Sequence, residues 1–375
     1  MPAMRRVGID ARKLADFGIG SYLQGLLGEM ARFEPALDLA LFVSREHLHL
    51  LPAMPESWRL VEVDAPGYSL REQLALVSAA LRAGVDVLHA PHYVIPLLFP
   101  RRLVVTVHDI IHVLFPEFLP HPLGFAYARF FIRAAVRRSR RVLTVSRATA
   151  ADLKRLFGAS ERRLQVIPHG VAPSFLGEAE PGRDAAIRSR LGVPDRYLLH
   201  VGNHKPHKNA EGLLKAYQLL SFGQREAIPP LVLAGGFTPD GPLALRAATM
   251  GLGGRVLCLG YVEQRELAAL YRGATLFVYP TLYEGFGLPL LEAMACGAPV
   301  LAGDIEAVRE VGGDAVVAVN PRDLVEVANT VRRLLDRPEQ LVKLRSRGRA
   351  RAREFSWERA ARATVGAYQA VRGEG

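Results

Sequence analysis

Tyr279-Pro280-Thr281-Leu282-Tyr283-Glu284-Gly285-Phe286-Gly287-Leu288-Pro289-Leu290-Leu291-Glu292-Ala293-Met294-Ala295-Cys296-Gly297-Ala298-Pro299-Val300 reads as a strand end, a turn, a short helix and the start of the next strand. The apolar strand stops at Tyr279, and Gly285 and Gly287 form the turn. Pro289 opens the helix, where its missing N–H costs nothing. Gly297 closes it and Pro299 prevents its continuation. The helix thus turns unpaired N–H groups toward the loop, and the glycines let a ligand approach the backbone, which makes an anion site suited to a diphosphate. Glu284 and Glu292 flank it. Carboxylates beside an anion are poor phosphate ligands but good acceptors for hydroxyls, so both are assigned to hydroxyl groups. A lone Glu at such a turn would be an ordinary surface residue, and the complete segment is what favours a site.

Working outward, short β-branched runs alternate with helical patterns along the chain. Strands are expected at Arg6–Ile9, Ala40–Val43, Val85–His89, Leu103–His108, Arg141–Val145 and Leu164–Ile167, with helices at Ser21–Arg32, Leu70–Ala83, Pro122–Arg138 and Arg147–Phe157. Breakers cluster at Pro168-His169-Gly170-Val171-Ala172-Pro173, and the polar stretch Gly177–Asp184 follows, a pattern of an interdomain linker. A second series has strands at Tyr197–Gly202, Leu231–Ala234, Val256–Leu259, Leu276–Tyr279, Val300–Ala302 and Ala315–Val319. Its helices are expected at Ala210–Leu220, Gly241–Met250, Gln264–Gly273, Pro289–Ala295 and Pro321–Leu335. Such alternation indicates an α/β protein with two doubly wound parallel sheets, each covered on both faces. Ligands gather at the C-terminal ends of such strands, so a cleft between the halves is the expected site.

The 375 residues suit two domains, half of them hydrophobic, and the formal net charge of +11 favours anionic partners. Only Cys258 and Cys296 are present, both in apolar settings without metal-ligand spacing, which fits a reducing compartment. Met4-Arg5-Arg6 leads directly into a strand with no apolar signal-peptide core, and no run is long enough to span a bilayer. A cytoplasmic protein is expected.

Glu284 to Glu292, with Gly-Phe-Gly-Leu-Pro between them, resembles the Glu-x7-Glu signature of the retaining enzymes called glycosyl transferases group 1. Other segments resemble the same family in order along the chain. They are Asp10-Ala-Arg through Gly18-Ile19-Gly20-Ser-Tyr22, Thr106-Val107-His108-Asp109 with Pro116-Glu117, Val145-Ser146 with Asp152-Leu153, Ile167-Pro-His-Gly-Val171, and Val201-Gly202-Asn203 with Pro206-His207-Lys208-Asn209. The resemblance implies a GT-B fold, in which residues 1–175 form an acceptor-side Rossmann-like domain and residues 176–355 a nucleotide-sugar-binding one. The two face each other across a cleft, and a helix within 356–375 crosses back to complete the first; Ser356 is its expected N-cap. It also implies a metal-independent hexosyltransferase with no cofactor beyond the donor.

By the same resemblance Glu284 contacts the donor sugar, Glu292 the ribose, and the backbone at Gly285, Phe286, Gly287 and Leu288 the phosphates. Lys208 neutralises the leaving diphosphate as a compact point charge. Many relatives carry a basic residue after the glycine of the phosphate-binding turn; here Asn203 stands there, with Lys205 and His207 nearby as substitutes. His108 contacts the donor sugar near its anomeric carbon, with Asp109 able to orient the imidazole. Gly18 and Gly20 form a flexible loop near diphosphate and acceptor. The absence of an Asp-x-Asp triplet leaves the phosphates to Lys208 and the helix N-terminus, and front-face displacement fits retention.

The histidines at 108 and 112, or 200, 204 and 207, lie on strand ends and turns without a completing carboxylate or thiol, so no metal site is expected. Arg129, Arg133 and Arg137 recur at helical spacing, with Arg138, Arg140 and Arg141 following and Phe125, Phe130, Phe131 and Ile132 interleaved. They form either a solvated basic face or a surface for anionic membrane or a lipid-linked acceptor. No nucleic-acid motif accompanies them. The turn at 203–208 and the Ile9-Asp10-Ala11-Arg12 start most resemble bacterial mannosyltransferases of surface-polysaccharide assembly, implying GDP-mannose, with UDP-glucose and UDP-N-acetylglucosamine as alternatives. A non-catalytic sugar-nucleotide-binding protein is the remaining alternative.

Overall fold

The structure, a computed structural model, describes residues 6–65, 69–119, 121, 123–178, 181–222 and 228–373. Two compact units divide the chain: residues 1–170 with 356–375, and residues 171–355.

The first unit is a seven-stranded parallel sheet. Its strands are β1 (Arg6–Asp10), β2 (Leu39–Val43), β3 (Arg59–Glu62), β4 (Val85–Ala90), β5 (Arg102–Val107), β6 (Arg141–Thr144) and β7 (Leu164–Val166), in the order β3-β2-β1-β4-β5-β6-β7. Alternate residues sort to opposite faces. Ile9, Leu41, Val87 and Val104 pack under the helices Phe17–Phe33 and Trp357–Gly373. Phe42, Leu88, Val105 and Val142 pack under Leu70–Arg82 and Leu123–Arg138. Such burial on both faces explains why the strands read as nearly unbroken apolar runs.

The second unit is a six-stranded parallel sheet of β8 (Leu198–Gly202), β9 (Leu231–Gly235), β10 (Val256–Gly260), β11 (Leu276–Tyr279), β12 (Val300–Gly303) and β13 (Val317–Val319), in the order β10-β9-β8-β11-β12-β13. Each sheet reverses its order once, between β1 and β4 and between β8 and β11. Those are the points where a crevice opens at the strand ends.

The expected C-terminal helix is present as Trp357–Gly373 within the first unit, and the Arg359 amide donates to Ser356 Oγ at 3.2 Å, which caps it. Tyr368 OH lies 2.7 Å from His89 Nδ1, whose other nitrogen is 2.8 Å from Thr106 Oγ1. The helix is therefore tied to β4 and β5 by a buried polar chain as well as by apolar packing.

Four expectations are corrected. Gly18 and Gly20 do not form a flexible loop: they lie in the first turn of the helix Phe17–Phe33, which begins before the expected Ser21. A Cβ on Gly20 would stand 2.2 Å from the Leu14 carbonyl oxygen, so that glycine serves the tight helix entry. β3 was not foreseen; Arg59, Leu60 and Glu62 are exposed on this edge strand, so it lacks an apolar run. Helices Pro181–Arg190, Glu306–Gly312 and Pro338–Ala352 are additional to the expected ones, the first within the expected linker region. The helix expected from Pro321 starts at Leu324, after Asp323 accepts from Val325 and Glu326 amides at 3.1 and 2.9 Å. Pro122, expected to open a helix, lies outside the described residues.

Gly25 marks the closest approach of two helices. A Cβ there would meet the Trp357 indole at 2.3 Å, a ring already buried among Tyr22 and His169. Gly25→Ala is expected to destabilise the protein by about 2–3 kcal/mol through overpacking, read as a lower urea midpoint at unchanged slope. An unchanged midpoint would show that the helices separate freely.

Candidate active site

The site in the second unit is built at its switch point. β8 ends at Gly202, and the chain turns through Asn203, whose Oδ1 accepts from the Lys205 amide at 3.1 Å. A 3-10 turn, Pro206–Lys208, follows, and Asn209 adopts φ 56°. Its amide donates to the carbonyls of Pro280 at 3.0 Å and Pro321 at 2.8 Å. The Leu282 amide and Thr281 Oγ1 bond back to the His207 carbonyl at 2.7 and 2.9 Å. These crosslinks place Lys208 beside the end of β11.

Lys208 Nζ lies 2.7 Å from Glu284 Oε1 and 3.1 Å from Tyr279 OH. Tyr279 OH donates to the same Oε1 at 2.5 Å, and Thr281 Oγ1 stands 2.9 Å from it. Lys208 and Tyr279 therefore both donate to one carboxylate oxygen, beside the Thr281 hydroxyl, whose single proton has the His207 carbonyl as a competing acceptor. Among the described residues Oε2 carries no hydrogen bond, so it is left for a ligand. Burial pushes the Glu284 carboxyl up, but Lys208 and His207, with the bonds from Lys208 and Tyr279, outweigh it and hold the group below the ordinary value. Glu284 is ionised and oriented.

Gly287, at φ 93°, caps the helix Leu288–Ala295, with Pro289 at its start. A Cβ at Gly287 would lie 3.9 Å from both Glu284 Cγ and the Tyr279 ring, which places the helix N-terminus at the Lys208–Glu284 pair. A helix opening offers N–H groups with no intrahelical acceptor and a partial positive charge. Cys296 ends the helix and Gly297 follows at φ 77°, as expected. Glu292 projects from this helix to Tyr271 OH, which donates to its Oε2 at 3.2 Å. Burial raises its pKa to about 7, with the Tyr271 bond and the Lys208 charge offsetting it only in part. Two carboxylates eight positions apart are thus shifted in opposite directions, because among the described residues only Glu284 has an ion-pair partner.

The structure brings Lys208, Glu284, Gly287 and Glu292 together, while Lys205 is exposed on the turn. Sequence reasoning missed Tyr279, Thr281, Tyr271 and Asn209, whose roles depend on which strand ends meet. It also missed the role of His200. This fully buried imidazole lies 2.9 Å through Nδ1 from the Val278 carbonyl, and among the described residues its Nε2 has no hydrogen-bond partner. That nitrogen is 3.3 Å from where a Cβ on Gly202 would be, beside the Lys208 stem.

In the first unit His108 follows β5. Its Nε2 is 3.0 Å from the Pro91 carbonyl, and its ring meets Tyr22 edge-on at 4.9 Å. Asp109 does not orient it: Asp109 Oδ1 accepts from the Ile111 amide at 3.0 Å instead, because it caps the next turn. Burial lowers the His108 pKa to about 4, against the raising effects of Asp109 and the Pro91 bond. With Nε2–H given to the carbonyl, the neutral ring keeps Nδ1 as an acceptor. At the β1–β4 switch point a small pocket is lined by Asp10, Lys13, Glu72, Pro91 and His92. Arg12 bridges Asp10 at 2.7 Å and Glu72 at 3.2 Å beside it.

Of the interleaved residues on Leu123–Arg138, Arg129, Arg133, Arg137 and Phe130 are exposed, whereas Phe131 and Ile132 belong to the core. No helix among the described residues is long and apolar enough to cross a membrane, and no group of three or more His, Cys, Asp or Glu among them is arranged to hold a metal ion.

A family profile described as "Glycosyl transferases group 1" matches residues 185–351, and one described as "Glycosyltransferase Family 4" matches residues 26–175. The chain is 30% identical over 319 residues to O-antigen chain mannosyltransferase B of Escherichia coli, covering 85% of this chain and 80% of that protein. The chain belongs to the glycosyl transferases group 1 family. It is also 33% identical to the MMP alpha-(1->4)-mannosyltransferase of Mycolicibacterium hassiacum, over 80% of this chain and 74% of that one. Among solved structures, sucrose-phosphate synthase from Thermosynechococcus elongatus superposes with a TM-score of 0.80 at 21% identity, covering 99% of this chain and 100% of that one. WaaG, a lipopolysaccharide-biosynthesis glycosyltransferase, gives 0.74 at 16% identity over 96% and 98%. The two Rossmann-like units are those of the GT-B fold.

Proposed function

We propose that this glycosyltransferase moves mannose from GDP-mannose to a hydroxyl of a glycan or lipid-linked acceptor, with retention and without a metal. The observation that carries the chemistry is the Lys208–Glu284 pair at the helix opening. The mannosyltransferases named above support the sugar. In this reading the diphosphate takes the open N–H groups at Gly287 and Leu288 and a further proton of Lys208 Nζ. Glu284 Oε2 accepts from a sugar hydroxyl, and Glu292 from the ribose. In the first unit, His108 Nδ1 is the acceptor available to a substrate hydroxyl.

The acceptor oxygen attacks the anomeric carbon on the face from which the phosphate departs. The anomeric C–O bond breaks with its electron pair going to the phosphate oxygen, and the hydroxyl proton passes to the leaving diphosphate. Lys208 and the helix N-terminus offset the charge that grows there. The protein acts in the cytoplasm, in contact with anionic membrane through the Arg129–Arg141 region, whose exposed arginines and Phe130 suit such a surface.

A thermal-shift screen of GDP- and UDP-sugars, with and without magnesium, tests this. GDP-mannose is expected to raise Tm in the absence of magnesium. Stabilisation that requires magnesium would overturn the metal-free site, and a larger shift with UDP-glucose would overturn the donor.

A further inference from the structure

At the N-terminal edge of the first sheet a second cavity, of about 500 Å³, is lined by Asp86, Pro100, Arg101, Arg102, Arg138 and Arg140. β5 begins at Arg102, so the length of that strand, about 20 Å at about 3.3 Å per residue, separates it from His108 and the small pocket at the C-terminal ends. Four guanidinium groups face one carboxylate. Arg101 Nη1 donates to the Val85 carbonyl at 2.7 Å and lies 3.4 Å from Asp86 Oδ1, and Arg138 Nη2 donates to the Phe99 carbonyl at 3.2 Å. Among the described residues, the guanidinium groups of Arg102 and Arg140 have neither an ion pair nor a hydrogen bond.

Gathering like charges round one concavity opposes folding; Arg101 and Arg138 serve nearby carbonyls, but among the described residues the Arg102 and Arg140 guanidinium groups hold nothing. A bound anion removes that cost. The volume lies in the range of small-molecule sites, and the planar fork of arginine matches phosphate oxygens two at a time. We propose that this cavity binds a phosphate-bearing anion of two or more negative charges, at a place separate from the donor site. The inference rests on reading the basic region ending at Arg141 as anion-facing. The shared chemistry is a phosphate ester, supplied by lipid headgroups or by a dissolved phosphorylated molecule.

The test uses the full chain, inorganic pyrophosphate by calorimetry in the presence of saturating GDP-mannose so that the donor site's own diphosphate contacts are occupied, and flotation with vesicles of phosphatidylglycerol and phosphatidylcholine against phosphatidylcholine alone. The Arg102→Ala/Arg140→Ala variant is expected to weaken binding tenfold or more while GDP-mannose binding stays at the wild-type level. Loss confined to vesicles assigns the lipid source, and loss confined to pyrophosphate assigns the dissolved one. Arg140→Glu, a change at an exposed position, gives the same direction of effect if the double variant does not fold. An equal charge change at exposed Arg265 and Arg353, both replaced by Ala, leaves binding near wild type; an equal loss there would overturn the site. So would wild-type binding of both probes by Arg102→Ala/Arg140→Ala. Loss of vesicle binding only on Arg129→Ala/Arg133→Ala would overturn the cavity and keep the helix face. Failure of GDP-mannose to bind any form bears on the donor reading alone.

Discussion

Lys208→Ala is expected to lower kcat for sugar transfer by about 10³-fold, the scale of removing one preorganised charge from a developing oxyanion. The leaving diphosphate gains charge as the anomeric bond breaks, and Lys208 is the cation held at the helix opening beside Glu284. Its loss acts twice. Burial is the largest influence on Glu284, and Lys208 is the leading one opposing it, so removing Lys208 sends the carboxyl upward. The variant therefore contains a Glu284 that takes up a proton at a pH where the wild type stays ionised. Two measurements separate the effects. The kcat of Lys208→Ala rises with pH as Glu284 ionises, whereas Glu284→Gln in the same background removes that rise. Lys208→Arg does not restore activity, because the planar guanidinium does not replace a compact ammonium against Tyr279 and Glu284. A Lys208→Ala enzyme within tenfold of wild type would remove Lys208 from the chemistry.

The same pair shows how far the sequence reaches. The helix from Leu288 was legible because backbone conformation selects Gly287, Pro289 and Gly297, and the helix starts and stops where they say. That Lys208 meets Glu284, 76 positions away, follows only once β8 and β11 are known to be neighbours. The apolar runs announce two parallel sheets but are nearly interchangeable within each, so strand order was not readable. Tyr279 illustrates the consequence: it reads as the last residue of a buried strand, and only the paired structure makes its hydroxyl a donor to Glu284. β3 and the helix at 338–352 escaped for another reason. Both carry charged residues at many positions and little of the period that betrays a buried face. Gly20 misleads because glycine marks a close approach as readily as a loop, and here the Leu14 carbonyl is the neighbour; Gly18 stands in open space in the same helical turn.

Glu292 gives the second large effect: affinity for GDP-mannose is expected to rise about 30-fold from pH 5.5 to 8 and to level off above pH 7. In the free protein burial holds its pKa near about 7, with the Tyr271 hydroxyl as its hydrogen-bond donor. Ribose hydroxyls donate to a carboxylate far better than to a carboxylic acid, so the complex favours the ionised form and binding releases a proton wherever the free group is protonated. The slope lies below the free pKa, since the bound value is lower, and vanishes above it. The donor's diphosphate is esterified at both ends and does not titrate in this window, so the dependence belongs to the protein. Calorimetry at pH 6 in buffers of different ionisation enthalpy should count nearly one proton released. The free protein carries the opposite linkage. Glu292 titrates above the unfolded value of about 4.3, so its contribution to stability is complete below that pH and is lost as pH rises to about 7. The difference is on the order of 3 kcal/mol at pH 8. Glu292→Gln, a permanent mimic of the neutral acid, should therefore be more stable than wild type at pH 8 and not at pH 4, while its affinity is weak and flat with pH. Weak, flat binding together with that stability gain assigns the ribose contact to a carboxylate kept at the edge of ionisation by burial. A pH slope that survives in Glu292→Gln would place the titrating group elsewhere.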